Sequence, residues 1–369
     1  MIKRARKHVG IHAGAFLVAC GALLIAAAMP ADNSTGGDAA TRAKIVRFVR
    51  AKFGVPDSTK LTADPLEPSP DPDFLKTTIT SDDGKQKRTN HALVSKDHRY
   101  LILGNIYAVG SDPRSEMIQR VREQFKIPTA TNVTASPART SSYPNLLATT
   151  FIVDDGKQKQ TQDFYLTKDN HFFVLGAIFS LSADPKLEAL RTLNTVNQPS
   201  HGSVSAPVTV VEFGDLQCPT CARLHEFLEN ELLPKYGNKV RVVYKEFPLA
   251  SIHDWTLTAT VANQCAYQIN PETYVPLRTM IFNNQTSFTA ANVRDLVINY
   301  GELVGLDRLR LAACIDSKAS LPRIEENFRE GQVVGVQSTP TSFINGKMIV
   351  GMPSDDLFKA IDEALRAGK

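Results

Sequence analysis

Two cysteines separated by two residues are the side chains in this sequence best suited to chemistry. Cys218 and Cys221 stand in the stretch TVVEFGDLQCPTCARLHEF, residues 209–227. This spacing permits half of a zinc site, an inert pair of thiols, or a dithiol that forms and breaks a disulfide. The rest of the sequence has to decide among the three.

The ligand count argues against zinc. A structural zinc site needs four ligands, usually from two closely spaced pairs. The chain has five cysteines, and two of them, Cys265 and Cys314, stand alone. His225 lies four residues after Cys221, but no fourth ligand is evident. We therefore expect no metal.

The segments around the pair predict how it is positioned. Residues 208–213 form a β-branched, apolar run typical of a buried strand, and a helical pattern starts at Pro219. Cys218 is then expected at the helix amino terminus, where unpaired N–H groups and the helix dipole favour a thiolate. Cys221, one turn further on, is the resolving thiol, and Thr220 can donate a hydrogen bond to sulfur without adding positive charge.

Further elements follow in a recognisable order. A second strand is predicted over 239–247, a mostly helical stretch over about 254–330, and a β-hairpin with its turn at Asn345-Gly346. A last helix, 355–366, closes the chain. The order β-α-β, helices, β-β-α is similar to that of a thioredoxin fold with a helical insertion.

These segments carry a family resemblance. VVEFGDLQCPTC, FPL at 247–249 and STPTSFINGK at 338–347 resemble the DsbA-like branch of the thioredoxin-fold dithiol–disulfide oxidoreductases. The resemblance spans roughly 205–367. It implies that the Cys218–Cys221 disulfide is the only redox group and that no other cofactor is needed. It also implies that the partners are unfolded or thiol-containing client proteins and a membrane or soluble redox partner.

The same resemblance assigns several residues. Thr339-Pro340 is implied to be a cis peptide bond facing Cys218. X–Pro bonds are those for which the cis form lies only slightly above the trans form in free energy. Some DsbA-like relatives carry a disulfide in the helical insertion, so we expect one between Cys265 and Cys314. The alternative for these two residues is a pair of buried, unbonded thiols.

A buried acid is also implied. Glu212, six residues before Cys218, matches the family's buried carboxyl, which can exchange a proton with Cys221. Lys245, on the next predicted strand, is a candidate partner for this carboxyl. Pro219 is expected to support the thiol pair together with Thr220. The alternative reading of Glu212 and Lys245 is a pair of surface charges.

The middle of the chain contains a tandem duplication. The segment 80–113 returns at 151–185, and Asp82–Lys87 recurs as Asp154–Lys159 at an offset of 72. Each copy has the pattern of a helix, a polar loop and three strands. HALVSKDHRYLILGNIYAV, residues 91–109, weakly resembles the amino-terminal domain of the DsbC/DsbG isomerases. That resemblance implies a homodimer through the repeats, although two copies in one chain can instead pair with each other or act as a spacer.

The first residues resemble an export signal. Residues 1–31 have a basic start followed by an uncharged run and hold four basic residues and no acid, so the remaining chain carries no net charge. A balanced charge gives no reason to expect nucleic-acid binding. We predict an extracytoplasmic, periplasmic protein, released by signal cleavage or anchored by residues 9–31, with lipidation at Cys20 as a weaker alternative.

The sequence thus predicts an α/β protein with a carboxyl-terminal thioredoxin fold. Its predicted segments are a hydrophobic helix serving as signal or anchor, two α+β repeats, a linker and the thioredoxin domain, with bounds 1–31, 40–114, 115–195, 196–206 and 207–369.

Three functions remain open at this point. The CPTC pair favours a thiol–disulfide oxidoreductase acting as an oxidase, while the repeats and the threonine at 339 suggest a disulfide isomerase or reductase. A client-binding, chaperone-like adaptor with secondary redox activity is the alternative from another class.

Overall fold

The computed structural model describes residues 36–154, 156 and 159–368. The expected signal peptide or anchor therefore lies outside the described residues, as does Cys20. Within the described ranges, no helix is both long and apolar enough to cross a membrane. The chain divides into two compact units, the first consisting mainly of Asp57–Ala183 and the second mainly of the residues from Asp184 onward.

The first unit contains one ten-stranded antiparallel sheet. Every strand of the first repeat has a counterpart that begins 72 residues later in the second. The first set is β1 (Lys60–Ala63), β2 (Glu67–Pro68), β3 (Phe74–Asp82), β4 (Lys87–Ser95) and β5 (Tyr100–Ala108). The second set is β6 (Asn132–Ala135), β7 (Arg139–Thr140), β8 (Leu146–Asp154), β9 (Lys159–Thr167) and β10 (Phe172–Ser180). Helix α1 (Gly36–Phe53) precedes the first set and α2 (Pro113–Gln124) precedes the second.

The two repeats are joined through the last strand of each set, β5 and β10. β5 and β10 pair antiparallel over their whole length, with Gly104 opposite Gly176 at the centre. A Cβ atom on Gly104 would collide with the Leu175 carbonyl, and one on Gly176 would collide with the Leu103 carbonyl. The glycine repeated in both copies therefore permits the close approach of the two strands, and the copies pair within one chain.

The second unit contains a five-stranded sheet with the order β11-β13-β12-β14-β15. Only β12 and β13 are parallel neighbours. The strands are β11 (Ser200–Gly202), β12 (Val208–Gly214), β13 (Val240–Glu246), β14 (Thr341–Ile344) and β15 (Lys347–Val350). Part of the segment expected to be a linker, 196–206, is thus the edge strand β11, which pairs with β13.

The helices of this unit include those of the predicted insertion, which lies between β13 and β14. They are α3 (Pro185–Thr192), α4 (Pro219–Phe227), α5 (Leu233–Tyr236), α6 (Thr256–Ile269), α7 (Tyr274–Asn283), α8 (Val293–Leu303), α9 (Arg308–Ser317), α10 (Leu321–Val334) and α11 (Ser354–Ala367). A π-helical turn, Leu228–Leu232, joins α4 to α5. The predicted order β-α-β, helices, β-β-α is confirmed.

Two apolar clusters hold the second unit together and fix the start of α4. One packs the sheet against α4 and α11 and includes Leu224, Phe227 and Leu357. The other fills the helical insertion around Trp255 and extends to Cys218 and Cys221. The amino terminus of α4 therefore lies where the insertion meets the sheet.

Candidate active site

The two cysteines occupy different environments at the start of α4. Cys218 is the N-cap residue and Pro219 begins the helix, where its missing N–H costs no hydrogen bond. Cys218 keeps 9% of its surface exposed, whereas Cys221 is fully buried. The backbone N–H of Asp215 donates to the Cys221 sulfur at 3.4 Å. Of the two cysteines, only Cys218 therefore keeps any contact with solvent.

The loop between α10 and β14 brings the Thr339-Pro340 turn to Cys218. The peptide bond between these two residues is cis. The Thr339 carbonyl oxygen lies 3.5 Å from the Cys218 sulfur and accepts a hydrogen bond from it when Cys218 is a protonated thiol. The turn therefore lies beside the Cys218 sulfur, where the resemblance had placed it.

The surroundings separate the acidities of the two thiols. A hydrogen bond from the Cys221 side chain is the main cause that lowers the Cys218 pKa to about 5, and the backbone N–H groups of Cys221 and Thr220 add to it. Burial opposes this shift. Burial, followed by the hydrogen bond to Cys218, raises the pKa of Cys221 well above its usual range. At neutral pH the pair therefore consists of one thiolate and one thiol.

Thr220 acts through its backbone rather than its hydroxyl. The expected hydrogen bond from the Thr220 hydroxyl to sulfur is replaced by one in which this oxygen accepts from the Arg223 guanidinium at 3.1 Å. Because residue 220 lies in the first turn of α4, its N–H points toward the helix amino terminus. The helix terminus, and not the threonine side chain, supplies this part of the stabilisation.

Glu212 is buried beneath the thiols and paired with an arginine. Its side chain is 2% exposed, and the Arg278 guanidinium of α7 donates to its Oε2 atom at 2.8 Å. Burial raises the pKa of Glu212 to about 7, although Arg278 opposes the shift. A carboxyl that titrates near neutrality can accept or return the proton of Cys221.

Lys245 is not the partner of Glu212, and that candidate pairing was wrong. The Lys245 ammonium lies 2.7 Å from Glu330 Oε1 on α10. In the β12–β13 register, Glu212 is opposite Tyr244, and Phe213 is opposite Lys245. Successive side chains of a strand point to opposite faces, so Lys245 and Glu212 lie on opposite sides of the sheet.

The sequence reading missed Arg278, Glu246 and Tyr274. All three are fully or almost fully buried on the same side of the sheet as Glu212. The available signal was a single arginine inside the apolar run YVPLRTMIF, 274–282. A long charged side chain in such a run is rarely buried without an acidic partner. That rule would have directed attention to Glu212 and Glu246.

Asp215 and His225 support the loop and the helix. Asp215 accepts hydrogen bonds from the backbone N–H groups of Gln217 and Leu249 and from the Thr256 hydroxyl. His225 is buried with its Nε2 atom 2.8 Å from the Thr279 hydroxyl, and burial lowers its pKa to about 3. His225 is therefore neutral and serves packing.

The remaining two cysteines of this unit form a disulfide between α6 and α9. Cys265 and Cys314 are bonded, with their Cα atoms 5.9 Å apart. Among the described residues, no cluster of three or more His, Cys, Asp or Glu side chains could hold a metal ion.

The Cys218 thiolate leads to a first prediction. In the wild type, alkylation of Cys218 should follow a titration with its midpoint near pH 5 and should change little from about pH 7 to pH 8. Cys221→Ala should move the midpoint upward by about one unit or more, since it removes the main hydrogen bond to the thiolate. Mass spectrometry of peptides alkylated at a series of pH values measures both. A midpoint near 8.5 in the wild type would contradict an activated thiolate.

Comparison with known proteins agrees with this geometry. Residues 194–363 match a family model described as thioredoxin. A protein of Rickettsia prowazekii named as a protein-disulfide oxidoreductase is 29% identical over 168 residues, 44% of this chain and 60% of that protein. The Na(+)/H(+) antiporter NhaA 1 of Salinispora arenicola is 29% identical over 146 residues, 40% of this chain and 21% of that protein.

A solved structure similar to this chain is that of oxidised BdbD from Bacillus subtilis. It has a TM-score of 0.44 and 21% identity, and it covers 47% of this chain and 95% of its own. The chain spans between about a fifth and three fifths of the length of the curated relatives described above. The match of the family model, together with the observed order of strands and helices, confirms the resemblance: residues 194–363 are a thioredoxin-family domain.

Proposed function

We propose that this chain is an extracytoplasmic thiol–disulfide oxidoreductase that oxidises thiols of client proteins. The observation that carries the proposal is the asymmetry of the pair: Cys218 keeps a small exposed fraction and is ionised at a helix amino terminus beside Thr339-Pro340, whereas Cys221 is fully buried and protonated. Such an arrangement directs attack to one sulfur and reserves the other for resolution.

The oxidation step exchanges one disulfide for another. A client thiolate attacks Cys218 Sγ of the Cys218–Cys221 disulfide, the S–S bond breaks, and Cys221 leaves with the electron pair and takes a proton from Glu212. A second client thiolate then attacks the client sulfur of the mixed disulfide, and Cys218 leaves as a thiolate. The client loses two electrons and the enzyme gains them, and a redox partner of disulfide or quinone type must remove them again.

The acidity of Cys218 favours the oxidase direction. A thiolate stabilised to a pKa of about 5 is a good leaving group, and it makes the reduced enzyme more stable than an ordinary dithiol would be. Both effects drive electrons from the client to the enzyme. The proposed clients are unfolded or thiol-containing proteins, with Thr339 presenting its backbone to them.

The extracytoplasmic location is supported by the Cys265–Cys314 disulfide, since structural disulfides persist mainly in oxidising compartments. The repeats act as a scaffold. Because β5 and β10 already pair within the chain, their edges are not free to pair with a second copy of the repeats.

The test compares Cys218→Ala with Cys221→Ala in the full chain. With a reduced, unfolded model protein as client, both variants should lose turnover, but after preincubation as mixed disulfides with glutathione only Cys221→Ala should pass into a covalent client complex. Non-reducing electrophoresis and mass spectrometry detect that complex. A wild-type chain that does not oxidise the client would refute the proposal.

Two outcomes would support the alternatives. If the wild type rearranges scrambled disulfides much faster than it oxidises reduced chains, the enzyme is an isomerase. If Cys218→Ala still prevents aggregation of the client as well as the wild type does, the chain is a binding protein and its redox chemistry is secondary.

A further inference from the structure

A second carboxylate near Glu212 has no role in the proposed exchange. Glu246 is fully buried at the end of β13. In the β12–β13 register it is opposite Gly214, two residues after Glu212, so both carboxylates lie on the same face of the sheet. Arg278 reaches this face from α7 and contacts both.

The guanidinium is held unequally by the two acids. Arg278 Nη2 lies 2.8 Å from Glu212 Oε2, whereas Arg278 Nη1 lies 3.9 Å from Glu246 Oε2. Neutral groups solvate the other oxygen of Glu246: the Tyr274 hydroxyl donates to Oε1 at 2.7 Å and the Gln264 amide donates at 3.1 Å. Glu246 is therefore close enough to attract the cation without binding it tightly.

Gly214 makes this packing feasible. A Cβ atom at this position would collide with Glu212 Oε1 and lie 2.7 Å from Arg278 Nη2. Gly214 has an extended backbone without positive φ, so the requirement is for space and not for conformation. The missing side chain leaves the volume in which the carboxylate and the guanidinium meet.

Arg278 is the only cation among the described groups that face Glu212. The titratable groups around Glu212, Glu246 and Arg278 are Cys218 at the N-cap of α4, Cys221 and His225 on α4, Tyr244 on β13, Tyr274 on α7, and Asp215 on the loop before α4. Burial keeps His225 neutral. Lys245 lies on the opposite face of the sheet. Among these groups, Arg278 is therefore the one cation that can neutralise Glu212 and Glu246.

We propose that Glu246 is a positioning residue that shares Arg278 with Glu212 and thereby leaves Glu212 able to take the proton of Cys221. This inference rests on the proposed function. When Glu212 is protonated its ion pair is lost, and a buried guanidinium without a partner would be costly. Glu246 supplies the replacement partner, so Arg278 remains neutralised whether Glu212 is charged or not.

The step concerned is the resolution of a mixed disulfide by Cys221. The proton moves from Cys221 Sγ to a Glu212 carboxylate oxygen, and the Cys221 thiolate attacks Cys218 Sγ. The bond between Cys218 and the client sulfur breaks, and the client thiolate leaves with the electron pair. Glu246 touches none of these atoms and acts only through Arg278.

The test is Glu246→Gln in the full chain, with two readouts. The first is the titration of the Glu212 carboxyl by carbon-13 NMR, assigned with Glu212→Gln. The second is the pH profile of the single-turnover resolution of a mixed disulfide between Cys218 and glutathione. With Arg278 left to Glu212 alone, both midpoints should fall by about one pH unit or more from the wild-type value near 7.

A second variant should shift the titration the other way. Tyr274→Phe removes the hydroxyl that donates to Glu246 and accepts from Arg278 Nη1 at 3.4 Å, so Glu246 and Arg278 should move closer together and the Glu212 midpoint should rise. Glu330→Gln serves as the matched control, because it removes a buried carboxylate on the opposite face and should leave both midpoints unchanged. Merely structural damage would not produce shifts of opposite sign.

An unchanged Glu212 titration in Glu246→Gln would overturn the proposal. If that variant does not fold, the absence of an upward shift in Tyr274→Phe overturns it equally. The carboxyl titration does not depend on activity. A chain without thiol exchange would thus refute the proposed function, while the NMR titration would still decide whether Glu246 shares Arg278.

Discussion

Replacing both Cys265 and Cys314 by alanine is expected to lower the free energy of unfolding of the second unit by about 4 kcal/mol. The two residues are 49 positions apart and join α6 to α9 across the helical insertion. A cross-link over a loop of this length removes much of the conformational freedom of the unfolded chain, so its loss favours unfolding. The insertion also contributes Arg278 and the core around Cys218, and the site should be loosened with it.

The measurement uses the only tryptophan of the chain. Trp255 is buried in the insertion core, so its fluorescence during urea unfolding reports on the second unit alone. Both proteins should carry Cys218→Ala and Cys221→Ala, so that no reactive thiol of the pair can reshuffle disulfides. Adding a reductant to the protein that retains Cys265 and Cys314 should reproduce the loss. Equal unfolding midpoints with and without the two cysteines would show that the cross-link does not stabilise the unit.

Where local residues determine the backbone geometry, the sequence was sufficient to predict the structure. The turn of the hairpin β14–β15 lies at the predicted residues, because Asn345-Gly346 supplies the two positive φ angles, 44° and 85°, that a two-residue turn requires. The position of Cys218 at the amino terminus of α4 followed in the same way, from an apolar strand before it and Pro219 after it.

Contacts between distant segments were not predictable to the same degree. The acid Glu212 was assigned from the family resemblance, but its partner Arg278 is 66 residues away in the helical insertion. Rejecting Lys245 as the partner of Glu212 required the register of the β12–β13 pairing, which cannot be read from the sequence. A one-residue shift moves a side chain to the other face of the sheet, and this explains the error.

The duplication illustrates the same limit. The offset of 72 and the strand pattern were visible in the sequence, but whether the copies pair with each other or with a second chain was left open. Gly104 and Gly176 are repeated at the same offset of 72. Their physical role, to let β5 and β10 approach closely, depends on the pairing itself and became evident only from the structure.

Replacing Arg278 by methionine is expected to destabilise the second unit by about 3–5 kcal/mol at neutral pH. Methionine fills much of the same space between the Tyr244 and Phe282 rings but leaves Glu212 and Glu246 without a cation. Breaking a buried ion pair from one side costs more than the pair itself contributes, because an uncompensated charge remains in the interior. Glu212→Gln/Arg278→Met should recover part of the loss, since it also removes one of the orphaned charges.

The pH dependence distinguishes this mechanism from a simple packing defect. The Glu212 pKa is about 7 in the folded wild type, above the ordinary value of 4.5, and it should rise further without Arg278. A raised carboxyl pKa means that the folded state binds more protons than the unfolded state, so stability falls as pH rises through this window. Urea unfolding followed by Trp255 fluorescence should therefore show a smaller loss of stability in Arg278→Met at about pH 5 than at about pH 8.

Arg294→Met serves as the control. It removes an exposed arginine paired with Asp316 and should leave the unfolding midpoint nearly unchanged at both pH values. A loss of equal size at both pH values in Arg278→Met would mean that shape, and not charge, accounts for the role of Arg278.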